Sequence, residues 1–182
     1  MTVKTKELCL QTKGKKITFF RITDEVKRFI EETQIINGII TVQTEHTTCA
    51  VFFEEMVHDF DIKGDEFLQV DLNKGLEKIF PAQTSDDGYY RYPGPLHLEQ
   101  AKTKSVFWED PSIMLNGPAH LKATLLGASQ TFVIQNGEMQ IGRCGDLYFV
   151  DFDYSRPRQR KVHICAIGEQ SEKDKKVREK EN

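Results

Sequence analysis

The hydrophobic and polar positions of residues 39–54 form two apolar segments separated by a polar junction. The stretch begins with β-branched, largely apolar residues, becomes polar at residues 44–48 and turns apolar again up to Phe53. This pattern predicts two buried strands. The junction between them contains four hydrogen-bonding side chains: Glu45, His46, Thr47 and Thr48. Such side chains are satisfied either by water at a surface turn or by a ligand, a metal or a partner subunit.

Three other segments have the signals of helices. Thr23 can cap a helix over residues 24–33, whose apolar positions follow i, i+3, i+4 spacing. Apolar residues recur at helical spacing over residues 65–80 and predict a second helix. A third helix is predicted to start at Asn116 and to end at Gly127, because proline follows the cap position and glycine often terminates helices.

The remaining apolar segments predict further strands, at residues 3–10, 17–22, 131–135, 138–142, 147–153 and 162–167. We expect the first two to pair as a hairpin through a turn at Gly14. The Asn136-Gly137 pair predicts a type I′ hairpin between its flanking strands. Asn37 and Gly38 are expected to end the connection before the central strands. Residues 82–97 are predicted to be a long, tyrosine-rich loop of functional importance, and residues 98–115 are left unassigned.

Many short strands with about three helices between them predict an α+β fold. We expect a single domain over residues 1–168, a largely antiparallel β-sheet or sandwich with one core. Residues 169–182 are rich in lysine and glutamate and contain no aromatic residue. This charged tail is expected to be disordered or a frayed helix, because it has little apolar surface to bury.

Composition narrows the possible functions. The 182-residue chain has 25 Lys and Arg against 28 Asp and Glu, and its net charge of −3 does not indicate a nucleic-acid partner. The apolar runs are too short to cross a bilayer, and no secretory signal is evident. The four cysteines are scattered without a CxxC motif. We therefore expect a cytoplasmic protein with reduced thiols, and no zinc site built on cysteine.

Three histidines come from separate predicted elements: His46 from the strand junction, His97 from the long loop and His120 from the first turn of a helix. The helix dipole favours a neutral ring at His120. Three neutral imidazoles can hold zinc or a similar ion and leave one coordination position open. The alternatives are that His120 caps a neighbouring loop and that His97 is a solvated loop residue.

An anion site is also possible at the predicted helix start near Asn116, where free backbone N–H groups are expected. Four arginines could bring positive charge to the same ligand: Arg143, Arg156, Arg158 and Arg160. The alternative is that residues 156–160 form a solvated basic turn. Glu54 and Asp71 are candidate acids or bases, and either could equally be a solvated carboxylate.

Three segments together resemble the YjbQ-like family, also called the secondary thiamine-phosphate synthase family. Glu45-His-Thr-Thr-Cys-Ala-Val, with Glu54, is similar to its "HTT…NE" segment. Asn116-Gly-Pro-Ala-His-Leu-Lys-Ala-Thr-Leu-Leu-Gly resembles "N-x-x-A-H-x-K-A-x-x-x-G", the most specific of the three. Asn136-Gly-Glu-Met-Gln-Ile-Gly-Arg, followed by Asp151-Phe-Asp, Arg158 and Arg160, resembles "G-x-L-x-L-G…E-x-D…R-x-R".

The resemblance implies a compact α+β fold that assembles as a homotrimer, with a histidine site near subunit contacts. His46 and His120 match two of its histidines. The third follows a tyrosine in the family, whereas here His97 lies five residues after Tyr92. Either His97 takes this role through a longer loop or the site has two histidines. The family's "G-T-W-Q" is Gly142-Arg-Cys-Gly here, so the family's substrate specificity is not carried over to this chain.

The leading hypothesis is a metal-binding YjbQ-like protein, for which the resemblance implies thiamine-phosphate synthase activity as a possible function: joining a pyrimidine diphosphate to a thiazole phosphate with release of pyrophosphate. A divalent metal, zinc before magnesium or manganese, would be held by His46, His97 and His120. Glu54 is assigned as a base or polar partner, and Asn116 is expected to orient a histidine. The predicted contacts to a small phosphorylated molecule come from Thr47, Thr48, Arg143 and Arg158. The alternatives are a metal-assisted phosphoester hydrolase and a non-catalytic trimer that binds a small ligand.

Overall fold

The computed structural model describes residues 1–84 and 88–170. Its strands are β1 (Thr2–Gln11), β2 (Thr18–Arg21), β3 (Ile35–Thr44), β4 (Cys49–Glu55), β5 (Ser129–Gln135), β6 (Glu138–Met139), β7 (Gly145–Asp151) and β8 (Gln159–Gln170). Its helices are α1 (Thr23–Thr33), α2 (Phe67–Ile79), α3 (Pro95–Ala101), α4 (Ser105–Glu109) and α5 (Gly117–Leu126), with a short 3-10 helix at Pro111–Met114. In these residues no helix is both long enough and apolar enough to cross a membrane.

The strands form two antiparallel sheets, which confirms the predicted α+β class. The larger sheet has the order β1-β8-β3-β5-β6, and the smaller sheet has the order β2-β7-β4. The β3 and β4 strands lie in different sheets, and so do β7 and β8. The β3–β4 and β7–β8 connections therefore both cross between the sheets, and they do so at the same end, because Cys49 of β4 pairs with Asp151 of β7 and Thr44 of β3 pairs with Val162 of β8.

Two hydrophobic clusters hold three layers together. One cluster fills the space between the two sheets and α1, and includes Val42, Phe149 and Ile164. The other lies on the opposite face of the smaller sheet, where Tyr148 packs with the α2 and α5 side chains. Each fully buried large apolar side chain contributes about 1.5–3 kcal/mol relative to exposure. Alternation along β7 and β4 supplies both clusters, because successive side chains of a strand face opposite sides.

The predicted hairpin of the first two strands is wrong. The β1 strand pairs with β8 along ten residue pairs, and β2 pairs with β7 in the other sheet. Between them, Gly14 and Lys15 adopt positive φ angles of 68° and 72°. The turn expected at Gly14 therefore exists, but it carries the chain from one sheet to the other.

The start of α1 also differs from the prediction. Thr23 is the first residue of the helix, and its hydroxyl does not cap the helix end. Instead, the hydroxyl donates a hydrogen bond to the Asp146 carboxylate at 2.7 Å and accepts one from the Leu147 backbone N–H at 2.8 Å. Thr23 therefore ties α1 to β7, and both partners lie more than a hundred residues away in sequence.

Two local features of the larger sheet have different outcomes. The type I′ hairpin is confirmed, since Asn136 and Gly137 both have positive φ, 54° and 79°. Asn37 and Gly38, expected to precede the central strands, instead lie within β3.

The helix count and the length of the last strand also differ from the predictions. The described residues contain five α-helices, where about three were expected. The additional short helices α3 and α4 occupy the end of the predicted long loop and half of the unassigned residues 98–115. The β8 strand, expected over residues 162–167, runs from Gln159 to Gln170. The prediction for the remaining tail concerns residues outside the described part of the chain.

Candidate functional site

The β3–β4 and β7–β8 connections open onto a pocket of about 400 Å³. The β3–β4 junction contributes Glu45, His46, Thr47 and Thr48, and the β7–β8 connection with the start of β8 contributes Asp153, Arg156, Arg158 and Arg160. The start of α5 adds Asn116 and His120, and residues 92–114 add the rest of the wall, including Tyr92, His97 and Lys104. The structure thus brings together seven of the nine predicted site residues.

A buried ion pair forms the floor of the pocket. Arg160 contacts both carboxylate oxygens of Asp151, at 2.7 and 3.0 Å, and also donates to the Thr48 hydroxyl at 3.2 Å. Burial opposes the charge of Arg160, yet its pKa is raised because the Asp151 carboxylate stabilises the guanidinium. The pair anchors the polar junction to the start of β8. Thr48 is therefore a buried structural partner of Arg160 as well as a pocket residue.

A second arginine–carboxylate pair lies beside it. Asp153 accepts hydrogen bonds from Arg158 at 2.6 Å, Asn116 at 3.1 Å and Ser155 at 2.7 Å. Burial alone would raise the Asp153 pKa, but these hydrogen bonds outweigh it and lower the pKa. The predicted role of Asn116 is thereby corrected, because its amide N–H orients Asp153 and not a histidine.

Several polar atoms around this second pair are buried without a partner among the described residues. They are the Asn116 side-chain oxygen and the Nε atoms of Arg156 and Arg158. Buried donors and acceptors without partners cost free energy, so such atoms call for an explanation. A bound ligand in this pocket is one group that could pair with them.

His46 is held by its Nε2 atom, which accepts a hydrogen bond of 2.9 Å from the backbone N–H of Lys161. In the neutral ring this bond places the proton on Nδ1. Burial and the nearby charge of Arg160 lower the His46 pKa, so the neutral form predominates at pH 7. His46 therefore offers a donor, not a free lone pair, to a ligand.

His120 is held in the opposite way. Its Nδ1 lies 3.2 Å from the Thr47 carbonyl oxygen, which can only accept, so this nitrogen donates. Burial lowers the His120 pKa despite this bond and the nearby Asp153 charge. The neutral ring thus keeps a lone pair on Nε2. Tyr92 packs edge-on against the His120 ring. Its hydroxyl lies 3.0 Å from Nε2 of the exposed His97. Tyr92 therefore closes the pocket on the side of His120.

These contacts bear on the predicted metal centre. In the described part of the chain, no group of three or more His, Cys, Asp or Glu side chains is arranged to hold a metal ion. The Nε2 lone pair of His46 is used by a backbone N–H, and Nε2 of His97 is engaged in a hydrogen bond with the Tyr92 hydroxyl. The residues as placed do not fit a three-histidine centre, although His120 has the carbonyl-bound Nδ1 that is typical of metal ligands.

The start of α5 does not supply the free backbone N–H groups that its sequence predicts. The Gly117 N–H donates to the Gln83 side chain at 3.0 Å, and Pro118 has no N–H. The N–H groups of Ala119 and His120 both donate to the Asn116 carbonyl, at 3.0 and 3.3 Å. Positive charge at the pocket therefore comes from side chains and not from this helix end.

Glu54 and Arg143 lie away from the pocket. Glu54 pairs with Asp146 near the far end of β4, six positions from Thr48, which corresponds to roughly 20 Å along a strand. Burial and the nearby Glu66 raise its pKa. Arg143 is exposed, and the next residue, Cys144, accepts a backbone hydrogen bond from Met56 just past the end of β4. Neither side chain can meet a ligand held by His120.

Sequence reasoning did not assign Asp151, Asp153 or Lys104 to the site. A signal for the aspartates existed, because Asp151-Phe-Asp153 ends a predicted strand just before the arginines. Carboxylates at a strand end can meet guanidinium groups at the start of the next strand. Lys104 gave no comparable signal, since residues 98–115 lack clear periodicity.

Comparison with known proteins identifies the class of protein to which this chain belongs. The profile of the family described as "UPF0047 protein YjbQ-like" matches residues 6–169. The chain therefore belongs to the YjbQ/UPF0047 family.

Its relatives include a "UPF0047 protein" of Methanothermobacter thermautotrophicus, which is 29% identical over 92% of this chain and 94% of its own length. A "UPF0047 protein" of Archaeoglobus fulgidus is 30% identical, over 88% of this chain and 99% of its own. Among solved structures, an uncharacterized conserved YjbQ/UPF0047 family protein of Clostridium acetobutylicum is similar with a TM-score of 0.64 and 28% identity. That match covers 88% of this chain and 98% of the other.

Proposed function

We propose that the pocket binds a small phosphorylated molecule through its arginines and lysine. The observation that carries this proposal is a surplus of positive charge. Arg158 and Arg160 are paired with Asp153 and Asp151, but among the described residues no carboxylate lies within ion-pair distance of Arg156 or Lys104. Guanidinium groups suit phosphate oxygens because they donate several hydrogen bonds in one plane.

The two histidines add acid–base chemistry to this anion pocket. The neutral His46 donates from Nδ1, and the neutral His120 can accept a proton at Nε2. Thr47 follows His46 in the junction, and its backbone carbonyl oxygen accepts the hydrogen bond from His120 Nδ1. This arrangement favours a site that orients an anionic ligand and moves a proton beside it.

Within this class, the reaction we propose is formation of thiamine phosphate. The thiazole nitrogen would form a C–N bond to the pyrimidine methylene carbon. The C–O bond to the diphosphate would break, and pyrophosphate would leave with that electron pair. Both Arg156 and Lys104 line the pocket, and their positive charges would stabilise the leaving pyrophosphate. Phosphoester hydrolysis and ligand binding without turnover are the rivals.

The binding proposal is tested by calorimetric titration of inorganic phosphate at low ionic strength. We expect Arg156→Gln to weaken binding at least about tenfold, because a charge-assisted hydrogen bond contributes about 1.5–3 kcal/mol. Arg143→Gln is the matched control, since this exposed arginine lies outside the pocket, and it should bind like the wild type. Equal loss in both variants, or no binding by the wild type, would refute the proposal.

Product analysis then separates the three reactions. The purified protein is incubated with the two thiamine precursors and, separately, with simple phosphoesters. Thiamine phosphate together with pyrophosphate supports the synthase reaction. Free phosphate from the phosphoesters supports hydrolysis instead. Phosphate binding with neither product supports a ligand-binding protein.

A divalent metal, zinc before magnesium or manganese, is a second proposal for this pocket. It rests on one observation, the Nδ1 bond of His120 to the Thr47 carbonyl, which leaves Nε2 free. Metal content is measured for untagged wild-type protein and for His120→Ala. About one ion per chain that is lost in the variant supports this proposal, and no ion after loading with zinc or manganese refutes it.

The cysteines support a cytoplasmic location, which we also propose. Cys9, Cys49, Cys144 and Cys165 are all free thiols, and two of them are exposed. Exposed free thiols suit a reducing compartment, where disulfides are rare. Fractionation of the source cells, followed by detection of the protein, tests this location.

A further inference from the structure

An apolar alcove adjoins the charged pocket. It has a volume of about 230 Å³ and shares His97, Lys104 and three apolar residues with the pocket wall. Its apolar lining consists of Ala101, Val106, Phe107, Ile113 and Met114, and Gln100 and Thr103 complete its wall. The two cavities are therefore neighbouring compartments with different chemistry, one cationic and one mainly nonpolar.

The alcove is built from α3, α4 and the 3-10 helix, which fold onto one another. The Trp108 indole N–H donates to the Lys102 carbonyl at 2.9 Å and joins the end of α4 to the end of α3. Asp110 caps the 3-10 helix by accepting from the Ser112 backbone N–H at 3.0 Å. Ile113, only 8% exposed, is thereby fixed at the boundary of the two compartments.

The lining chemistry indicates what the alcove can accept. Val106, Ile113 and Met114 present aliphatic and thioether groups, and thioethers and aromatic rings make favourable contacts. Nonpolar walls with a few polar groups at one side are typical of small-molecule sites in which apolar contact adds affinity and polar groups fix orientation. Lys104 and His97 stand at that polar side.

We propose that the alcove receives the nonpolar body of the ligand, so that the protein selects phosphate esters of compact aromatic or aliphatic alcohols. This inference rests on the proposed function, since the phosphate must occupy the charged pocket. Val106, Ile113 and Met114 are then specificity-determining residues. They discriminate between ligands by the body attached to the phosphate, while Arg156 and Lys104 hold the phosphate itself.

Three probes test this selection by calorimetric titration: inorganic phosphate, glycerol 3-phosphate and phenyl phosphate. In glycerol 3-phosphate the group attached to the phosphate is polar, whereas in phenyl phosphate it is nonpolar. We expect the wild type to bind phenyl phosphate about tenfold more tightly than glycerol 3-phosphate, since burial of a few apolar carbons accounts for such a factor. The double variant Val106→Thr/Met114→Gln keeps the shape of both side chains but makes them polar. It should bind the two esters with equal affinity, because the nonpolar wall that favours the phenyl group is gone.

Leu96→Gln is the matched control, because Leu96 lies in α3, is 85% exposed and is not part of the alcove. It should keep the wild-type preference. Equal affinities of the wild type for the two esters would overturn the alcove inference and leave the phosphate pocket standing. A preference that survives in the double variant would overturn it as well. Failure of all three probes to bind would overturn the proposed function and, with it, this inference.

Discussion

His46 and His120 use opposite ring nitrogens to attach themselves to the protein. His46 accepts a backbone N–H at Nε2, whereas His120 donates from Nδ1 to a backbone carbonyl. Each bond selects one tautomer, and the two rings therefore offer different groups to the same pocket: a donor from His46 and an acceptor from His120. Both rings have lowered pKa values, chiefly because burial disfavours the imidazolium.

These lowered pKa values predict how stability depends on pH. In the unfolded chain both histidines titrate at about 6.5. Below that pH the unfolded state binds more protons than the folded state, so the free energy of unfolding falls as the pH falls. We expect the wild type to be less stable to urea at pH 5.5 than at pH 7.5. The loss should be smaller in His120→Asn, which keeps a donor for Thr47 but cannot be protonated in this range.

His58→Gln is the control for this experiment, because His58 is exposed and lies outside the pocket. It should show the full wild-type decrease in stability. An identical decrease in His120→Asn would contradict the assignment of this pH dependence to the pocket.

The family resemblance, together with residue type, led to the prediction that His46 and His120 share a site. Neither of these showed the hydrogen bonds that set the role of each ring. The partner of His46 Nε2 is the Lys161 N–H, 115 residues away, and the partner of the Gly117 N–H is Gln83, 34 residues away. Such long-range pairings exist only after the sheets have formed, so local patterns cannot show them.

At the scale of elements, locally determined features were predicted well. The Asn136-Gly137 turn and the inward-facing Val162, Ile164 and Ala166 follow from turn chemistry and alternation. The pairing of β1 was missed, because its ten-residue partner β8 lies at the other end of the chain. The helices of residues 95–114 were missed because α3 and α4 have only 7 and 5 residues, too few to show periodicity.

Replacement of either of two glycines by alanine adds a Cβ atom, and we expect opposite effects on the free energy of unfolding. Gly38 lies in β3, where a Cβ would collide with the Ile167 carbonyl and would lie 2.7 Å from the Gly168 Cα. Gly38→Ala should lower the free energy of unfolding by about 1–3 kcal/mol, since the central strands would have to shift. Gly75 lies inside α2 with nothing within 4 Å of its Cβ position.

Gly75→Ala is therefore the matched control, expected to raise the free energy of unfolding by about 0.5–1 kcal/mol because alanine favours helix. Urea denaturation monitored by circular dichroism measures both variants. A Gly38→Ala protein as stable as the wild type would show that β3 and β8 do not approach as closely as described.

At the scale of the whole molecule, the two sheets are covered differently. Both faces of the smaller sheet are packed, by the larger sheet and by α2 and α5. The outer face of the larger sheet carries an apolar row instead, which crosses four strands through the pairs Val3–Ile167, Ile167–Ile39 and Ile39–Val133. Within it, Val3, Ile39 and Val133 are 60%, 43% and 55% exposed. Apolar surface of this kind marks sites of association.

The predicted homotrimer is therefore proposed to form through this apolar row. We expect light scattering coupled to size-exclusion chromatography to give about 63 kDa for the wild type, three times the chain mass of 21.0 kDa. The double variant Ile39→Lys/Val133→Lys should run as a monomer, because desolvating two lysines at the contact would outweigh the apolar burial. Ile62→Lys, on a fully exposed loop residue, should remain trimeric. A monomeric wild type would contradict the assembly, whereas a trimeric double variant would show that another surface makes the contact.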